Sequence, residues 1–215
     1  MKTVFVSVCA IFLPACLAIP GLIDLGQSLS DKTIYPEIKG NFRIEANIIS
    51  MENPRGTTWN YMPCDVVPGN CDPKITVAID YATPNNDFGK DSVPYSRYVQ
   101  VFEGSGMTHV DINKIVSKDV CNHSTRKINV RVRALDRDTL SDDTIDHFNC
   151  LILTTDPPAE NEGSAQWSAI KTCVGHNSSH KIMWKYRWFF VPDNDCKEIA
   201  GSSGIIRQLI PFLGK

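Results

Sequence analysis

Residues 128–152 read Ile128-Asn-Val-Arg-Val-Arg-Ala-Leu-Asp136-Arg-Asp138-Thr-Leu-Ser-Asp142-Asp143-Thr-Ile145-Asp146-His-Phe148-Asn-Cys150-Leu-Ile152. The stretch opens as a strand. Ile128, Val130, Val132 and Ala134 alternate with Asn129, Arg131, Arg133 and Leu135, the period-two pattern of a half-buried strand. Four carboxylates then fall within eight residues: Asp136, Asp138, Asp142 and Asp143. Ile145, Phe148 and Leu151 resume the apolar run. Like charges on one short loop repel each other. A divalent cation relieves that repulsion, and carboxylate oxygens are the ligands Ca²⁺ prefers, taking about six to eight. A solvated acidic turn between two strands is the plain alternative.

The pattern repeats outward from this stretch. Phe42, Ile44, Ala46 and Ile48 mark a first strand, and Ile75, Val77, Ile79 and Tyr81 a second. Weaker strands run over 97–103, 109–116 and 165–172. Residues 147–153 follow the acidic loop. Ile182, Trp184, Tyr186, Trp188 and Phe190 define a closing aromatic strand within 181–191. Short strands separated by turn signals, with no convincing amphipathic helix between 41 and 192, predict an all-β fold: an eight-stranded antiparallel β-sandwich over residues 40–196. Residues 51–73 carry Pro54, Gly56, Pro63, Pro68, Gly69 and Pro73 and no periodicity, so they form one long loop.

Outside the sandwich the expectations are coarser. Lys2 followed by the apolar run Val4–Leu17 and small Ala18 is a secretory signal over 1–18, with cleavage near Ala18–Ile19. Residues 19–39 form a flexible arm. The tail from 197 to 215 holds Ile205, Ile206, Leu209, Ile210, Phe212 and Leu213. A short amphipathic helix ending before Pro211, a floppy tail and a docked tail all stay open. The chain carries a net charge of −2, against the basic footprint that nucleic-acid binding needs. Loss of Cys9 and Cys16 with the signal leaves Cys64, Cys71, Cys121, Cys150, Cys173 and Cys196. An even set in a secreted, extracellular protein reads as three disulfides. Asn122-His-Ser124 and Asn177-Ser-Ser179 are glycosylation acceptors expected on exposed loops. His109, His123, His147, His176 and His180 belong to no nucleophile or zinc motif and are expected at loops and strand edges, so an enzyme is not expected.

The order of these features resembles a C2 domain. In that family a first acidic loop ends in Ser-Asp-Pro-Tyr-Val-Lys-Val; here Cys71-Asp72-Pro73-Lys74-Ile75-Thr76-Val77 stands in its place. The later Asp-x-Asp loop is matched by Asp136-Arg-Asp138 through Asp142 and Asp143, with Asp146 where the family has Gly. The likeness spans roughly residues 40–192. The opening Gly40-Asn-Phe-Arg-Ile-Glu-Ala-Asn-Ile-Ile-Ser-Met-Glu-Asn53 and the long Cys-bearing loop resemble the N-terminal module of Notch ligands. The Cys-rich receptor-binding module of those proteins has no counterpart after Cys196, so direct Notch activation is not implied.

The resemblance implies a secreted, Ca²⁺-dependent module that binds anionic phospholipid at a membrane surface. Asp72, with Asp65 from the same loop, faces Asp136, Asp138 and either Asp142 or Asp143. Trp59, Tyr61 and Leu140 are the apolar candidates at the loop tips. Arg126, Lys127, Arg131, Arg133, Lys185 and Arg187 are either a headgroup-binding face or a solvated one. A Ca²⁺-independent co-ligand of a receptor ectodomain is the second reading. Cys64 and Cys71 clip the first loop. The strand order puts Cys121 and Cys196 together at the opposite end and sets Cys150 beside Cys173.

Overall fold

Alternation dictates two layers, because each strand must bury one row of side chains. The computed structural model describes residues 35–65, 70–85, 88, 93–138, 141–197 and 205–207. The signal segment, the arm up to residue 34, Leu140 and the rest of the tail lie outside the described residues. The strands are β1 (Ile38–Glu52), β2 (Pro73–Asp80), β3 (Val99–Glu103), β4 (His109–Thr125) and β5 (Lys127–Asp136). Then follow β6 (Asp143–Leu153), β7 (Lys171–Thr172), β8 (Val174–Gly175), β9 (Lys181–Phe190) and β10 (Ile205–Arg207). One sheet runs β10-β4-β1-β9-β7 and the other β3-β2-β5-β6-β8, every ladder antiparallel.

The core lies between the sheets. Phe42, Ile44, Ala46 and Ile48 of β1, with Ile182, Trp184, Tyr186 and Trp188 of β9, meet Val77 of β2, Val130 and Val132 of β5 and Phe148 of β6. Register sets Val132 between Val77 and Phe148. Each buried Val, Ile or Phe among them contributes about 1.5–3 kcal/mol by leaving water. Phe42 meets Trp188 edge-on at 5.6 Å, the geometry aromatic quadrupoles favour.

The described residues hold ten strands, and some bounds differ from expectation. β4 runs past the expected end at 116 to Thr125, through two bulges. The β1–β4 register shifts between Ile48 and Ser50 and again between Gly40 and Phe42. Opposite these shifts Asn113 and Asn122 have positive φ, 47° and 48°. Each bulge inserts one residue and inverts the alternation, so a period-two reading loses the strand at 116. The expected 165–172 strand is mostly irregular. Before β7, a single bond from Ser168 N–H to the Tyr186 carbonyl replaces a ladder; the two-residue β7 pairs with β9 and the two-residue β8 with β6, each at one edge of its sheet. In the tail, residues 205–207 are a strand on β4, not a helix.

Three disulfides fasten this frame: Cys64–Cys71, Cys121–Cys196 and Cys150–Cys173. The first is the expected clip of the loop, and the other two are the pairs that the strand order suggests.

Candidate functional site

β5 ends at Asp136, which sits between Pro73 of β2 and Asp143 of β6. The ladder therefore delivers this carboxylate to the end of the sandwich where the β1–β2 and β5–β6 loops meet. Asp136 is 1% exposed. Its Oδ1 accepts the Asp72 N–H at 2.5 Å. Its Oδ2 is buried and has no hydrogen-bond partner among the described residues. A buried carboxylate oxygen left unpaired is costly, so its neighbours matter. Carboxylate oxygens of Asp65, Asp136 and Asp138 all lie within 4.8 Å of one another. Burial first, then the charges of Asp138, Asp65 and Asp72, push the Asp136 carboxyl above its ordinary value.

This trio fits Ca²⁺ chemically. Oxygens about 2.4 Å from a common centre stand up to about 4.8 Å apart. The donors are hard and anionic, and Asp65 and Asp138 are exposed enough to admit water and a further ligand. Cys64 and Cys71 also lie against Asp136, but their disulfide leaves no thiolate to bind metal.

The other sequence candidates fall around the trio. Asp72 turns to the β3–β4 turn, where its Oδ1 accepts the Gly106 N–H at 2.8 Å. It adds charge beside Asp136 without joining the three. Asp142 and Asp143 are exposed and lie outside the group. Trp59, Tyr61 and Met62, on the loop that also carries Asp65, are 48%, 57% and 60% exposed. Trp59 is partly held by a tilted contact with His176.

Two expectations are corrected. The basic residues do not form one face, because β5 and β9 belong to different sheets. Arg131 is 1% exposed and pairs with Asp80 at 2.9 Å. Arg126 reaches Glu37 and the Tyr35 carbonyl, Arg133 lies over the Tyr95 ring, and Arg187 joins Glu45 and Glu162. Lys185 lies over Trp167. Second, Asn177 is not on an exposed loop. It is fully buried, with its Nδ2 donating to the Thr58 carbonyl and its Oδ1 accepting from Ser179. The amide nitrogen a glycan would occupy is thus inside the fold. Asn122, in contrast, is exposed. Peptide mapping of protein expressed through a glycosylating secretory pathway is expected to find a glycan at Asn122 and an unmodified Asn177; occupancy of Asn177 in folded protein would contradict this packing.

Sequence reasoning missed Asn53. It is fully buried, its Oδ1 accepts the Thr57 N–H, and its Nδ2 donates to the Thr57 carbonyl and approaches Cys71 Sγ at 3.2 Å. It fixes the root of the first loop, and its only sequence signal is its place directly after β1.

An antiparallel β-sandwich with an acidic loop cluster at one end is the architecture that the C2 resemblance implied. Among solved structures the chain is similar to a C2 domain protein from Ramazzottius varieornatus, at 44% identity and a TM-score of 0.73, covering 78% of this chain and 99% of that one. The chain belongs to the C2 domain proteins. It is also similar to human GIVD cytosolic phospholipase A2, at 11% identity and a TM-score of 0.46, covering 73% of this chain and 18% of that one. A Drosophila C2-DSL-EGF1 structure matches at 9% identity and a TM-score of 0.43, covering 69% of this chain and 67% of that one. Those two likenesses are too remote to carry an argument. No family model and no curated protein matches the chain.

Proposed function

We propose that this protein is a secreted, Ca²⁺-dependent module that binds anionic phospholipid at a membrane surface. The observation that carries the reading is the buried Asp136 carboxylate, whose Oδ2 has no hydrogen-bond partner among the described residues and which lies within 4.8 Å of Asp65 and Asp138 carboxylate oxygens. Asp65, Asp136 and Asp138 would hold the ion, with Asp72 adding negative field beside them. The bound cation would supply the positive charge that a phosphate oxygen needs to approach an acidic end of the molecule. Exposed Trp59, Tyr61 and Met62 on the same loop give apolar and interfacial contact. Three disulfides suit an oxidising, extracellular compartment. Extracellular oxygen sites of this kind bind Ca²⁺ at about 10⁻⁴–10⁻³ M, within reach outside cells.

Vesicle cosedimentation tests the proposal. The protein is expected to pellet with phosphatidylserine-containing vesicles in millimolar calcium, to be released by chelator, and to ignore phosphatidylcholine alone. Asp138→Asn, which removes one exposed charge of the trio, is expected to weaken that binding about tenfold or more. Binding that ignores chelator would reject the reading. It would favour a Ca²⁺-independent co-ligand of a cell-surface receptor, which the Notch-ligand resemblance of residues 40–53 suggests.

A further inference from the structure

We propose that Asp146, His180 and Thr57 are positioning residues for the first acidic loop, holding Asp65 against Asp136 and Asp138 without touching a ligand there. The claim rests on the reading of that trio as a cation site. His180 and Asp146 have fully buried side chains, with His180 Nδ1 3.2 Å from Asp146 Oδ2. On the other side of the ring, His180 Nε2 lies 3.2 Å from Thr57 Oγ1.

Asp146 is saturated. Its oxygens accept the N–H groups of His147, His176 and Asn177 as well as His180 Nδ1, which fills the acceptor capacity of one carboxylate. That fixes the turn before β9. It also orients the imidazole, with Nδ1 toward Asp146 and Nε2 toward the Thr57 hydroxyl. A second tether runs in parallel, from Asn177 Nδ2 to the Thr58 carbonyl.

Thr57 passes this restraint to Asp65 through the loop's own bonds. Thr57 bridges Pro63. The Thr58 N–H donates to the Met62 carbonyl, and the Cys64 N–H to the Gly56 carbonyl at 2.9 Å. Residues 56–64 therefore move as one hairpin, and Asp65 is the next residue. A long loop has much conformational entropy to lose, and a site is only as exact as the shell that supports it. Asp146 stands where the C2 pattern has Gly, and here it is the centre of that shell.

Thr57→Val keeps the shape and deletes the hydroxyl; Thr57→Ser keeps the hydroxyl. In the full chain with chelator, amide hydrogen exchange at Thr58, Tyr61 and Cys64 is expected to quicken roughly five- to tenfold in the Val variant, as loss of about one buried hydrogen bond implies. Amides of β2 and β5 should be unchanged. Calcium affinity by calorimetry should fall by a similar factor, and the Ser variant should match the parent in both readouts. Unchanged exchange in 56–64, or quickening spread evenly through the domain, would overturn the proposal, as would parental calcium affinity in the Val variant. A parent that binds no calcium would defeat the cation reading, while the exchange pattern would still decide whether the network positions the loop.

Discussion

Arg131→Met is expected to destabilise the domain by about 3–5 kcal/mol, the cost of leaving one partner of a buried ion pair behind. Arg131 points outward from β5, yet it is 1% exposed, because the segment after β2 folds over this face. Its Nε meets Asp80 Oδ2 at 2.9 Å, and its Nη2 donates to the Thr83 carbonyl and to Asn85 Oδ1. Asp80 is itself 4% exposed. Without the guanidinium its charge has no buried cation among the described residues, and the Thr83 carbonyl and Asn85 Oδ1 lose the bonds that Arg131 gives them. Adding Asp80→Asn should recover most of the loss. The charge then disappears, while the amide oxygen can still accept the Thr83 N–H that Asp80 Oδ1 now accepts. Equilibrium urea unfolding of the single and double variants measures both terms. A single variant within about 1 kcal/mol of the parent would mean that the covering segment is open in solution.

Asp136→Asn is expected to have two opposite effects. It should abolish stabilisation by calcium, since the buried charge at the centre of the trio is gone. In chelator, it should make the protein more stable than the parent near neutral pH. The folded protein holds the Asp136 carboxyl above its ordinary value, through burial and then through Asp138, Asp65 and Asp72. A raised folded value means that the folded state binds the proton more tightly than the unfolded chain does. That contribution is complete below the unfolded value of about 3.9 and is lost as pH rises through the folded value. At neutral pH the parent therefore bears an ionised, buried carboxylate that the Asn variant lacks. The difference in melting temperature should shrink as pH falls toward the ordinary carboxylate range. A difference that is constant with pH would mean that Asp136 is not the group responsible.

Much of this arrangement is legible in the sequence, and the parts that are not fail for physical reasons. β1, β2, β5 and β9 follow from clean alternation, because each buries one row between the sheets. β4 is half hidden, because the bulges at Asn113 and Asn122 invert the alternation midway. Asp136 and Asp138 are marked by their position at a strand end, and Asp65 by the clip beside it. Alternation told that Arg131 points away from the core. It could not tell that a loop covers that face, nor that β9's cations belong to the other sheet. Asn177 shows the same limit in a motif. Asn-Ser-Ser suits a glycan acceptor, and it equally suits a turn in which Asn177 Oδ1 accepts the Ser179 N–H. Only the burial of the side chain separates the two. His180 and Thr57 are far apart in sequence, and no spacing could have joined them.

A thermal melt of parent and Asp136→Asn across a calcium titration decides whether Asp65, Asp136 and Asp138 hold calcium. An ion that binds only the folded state stabilises it by RT ln(1 + [L]/Kd), about 1.4 kcal/mol at ten times Kd, or a few degrees for a domain of this size. That rise is expected in the parent, growing logarithmically with calcium above Kd and absent with magnesium at the same ionic strength, with no rise in the variant. A parent whose melting temperature does not move with calcium, or a variant that responds as the parent does, would contradict a calcium site at these residues.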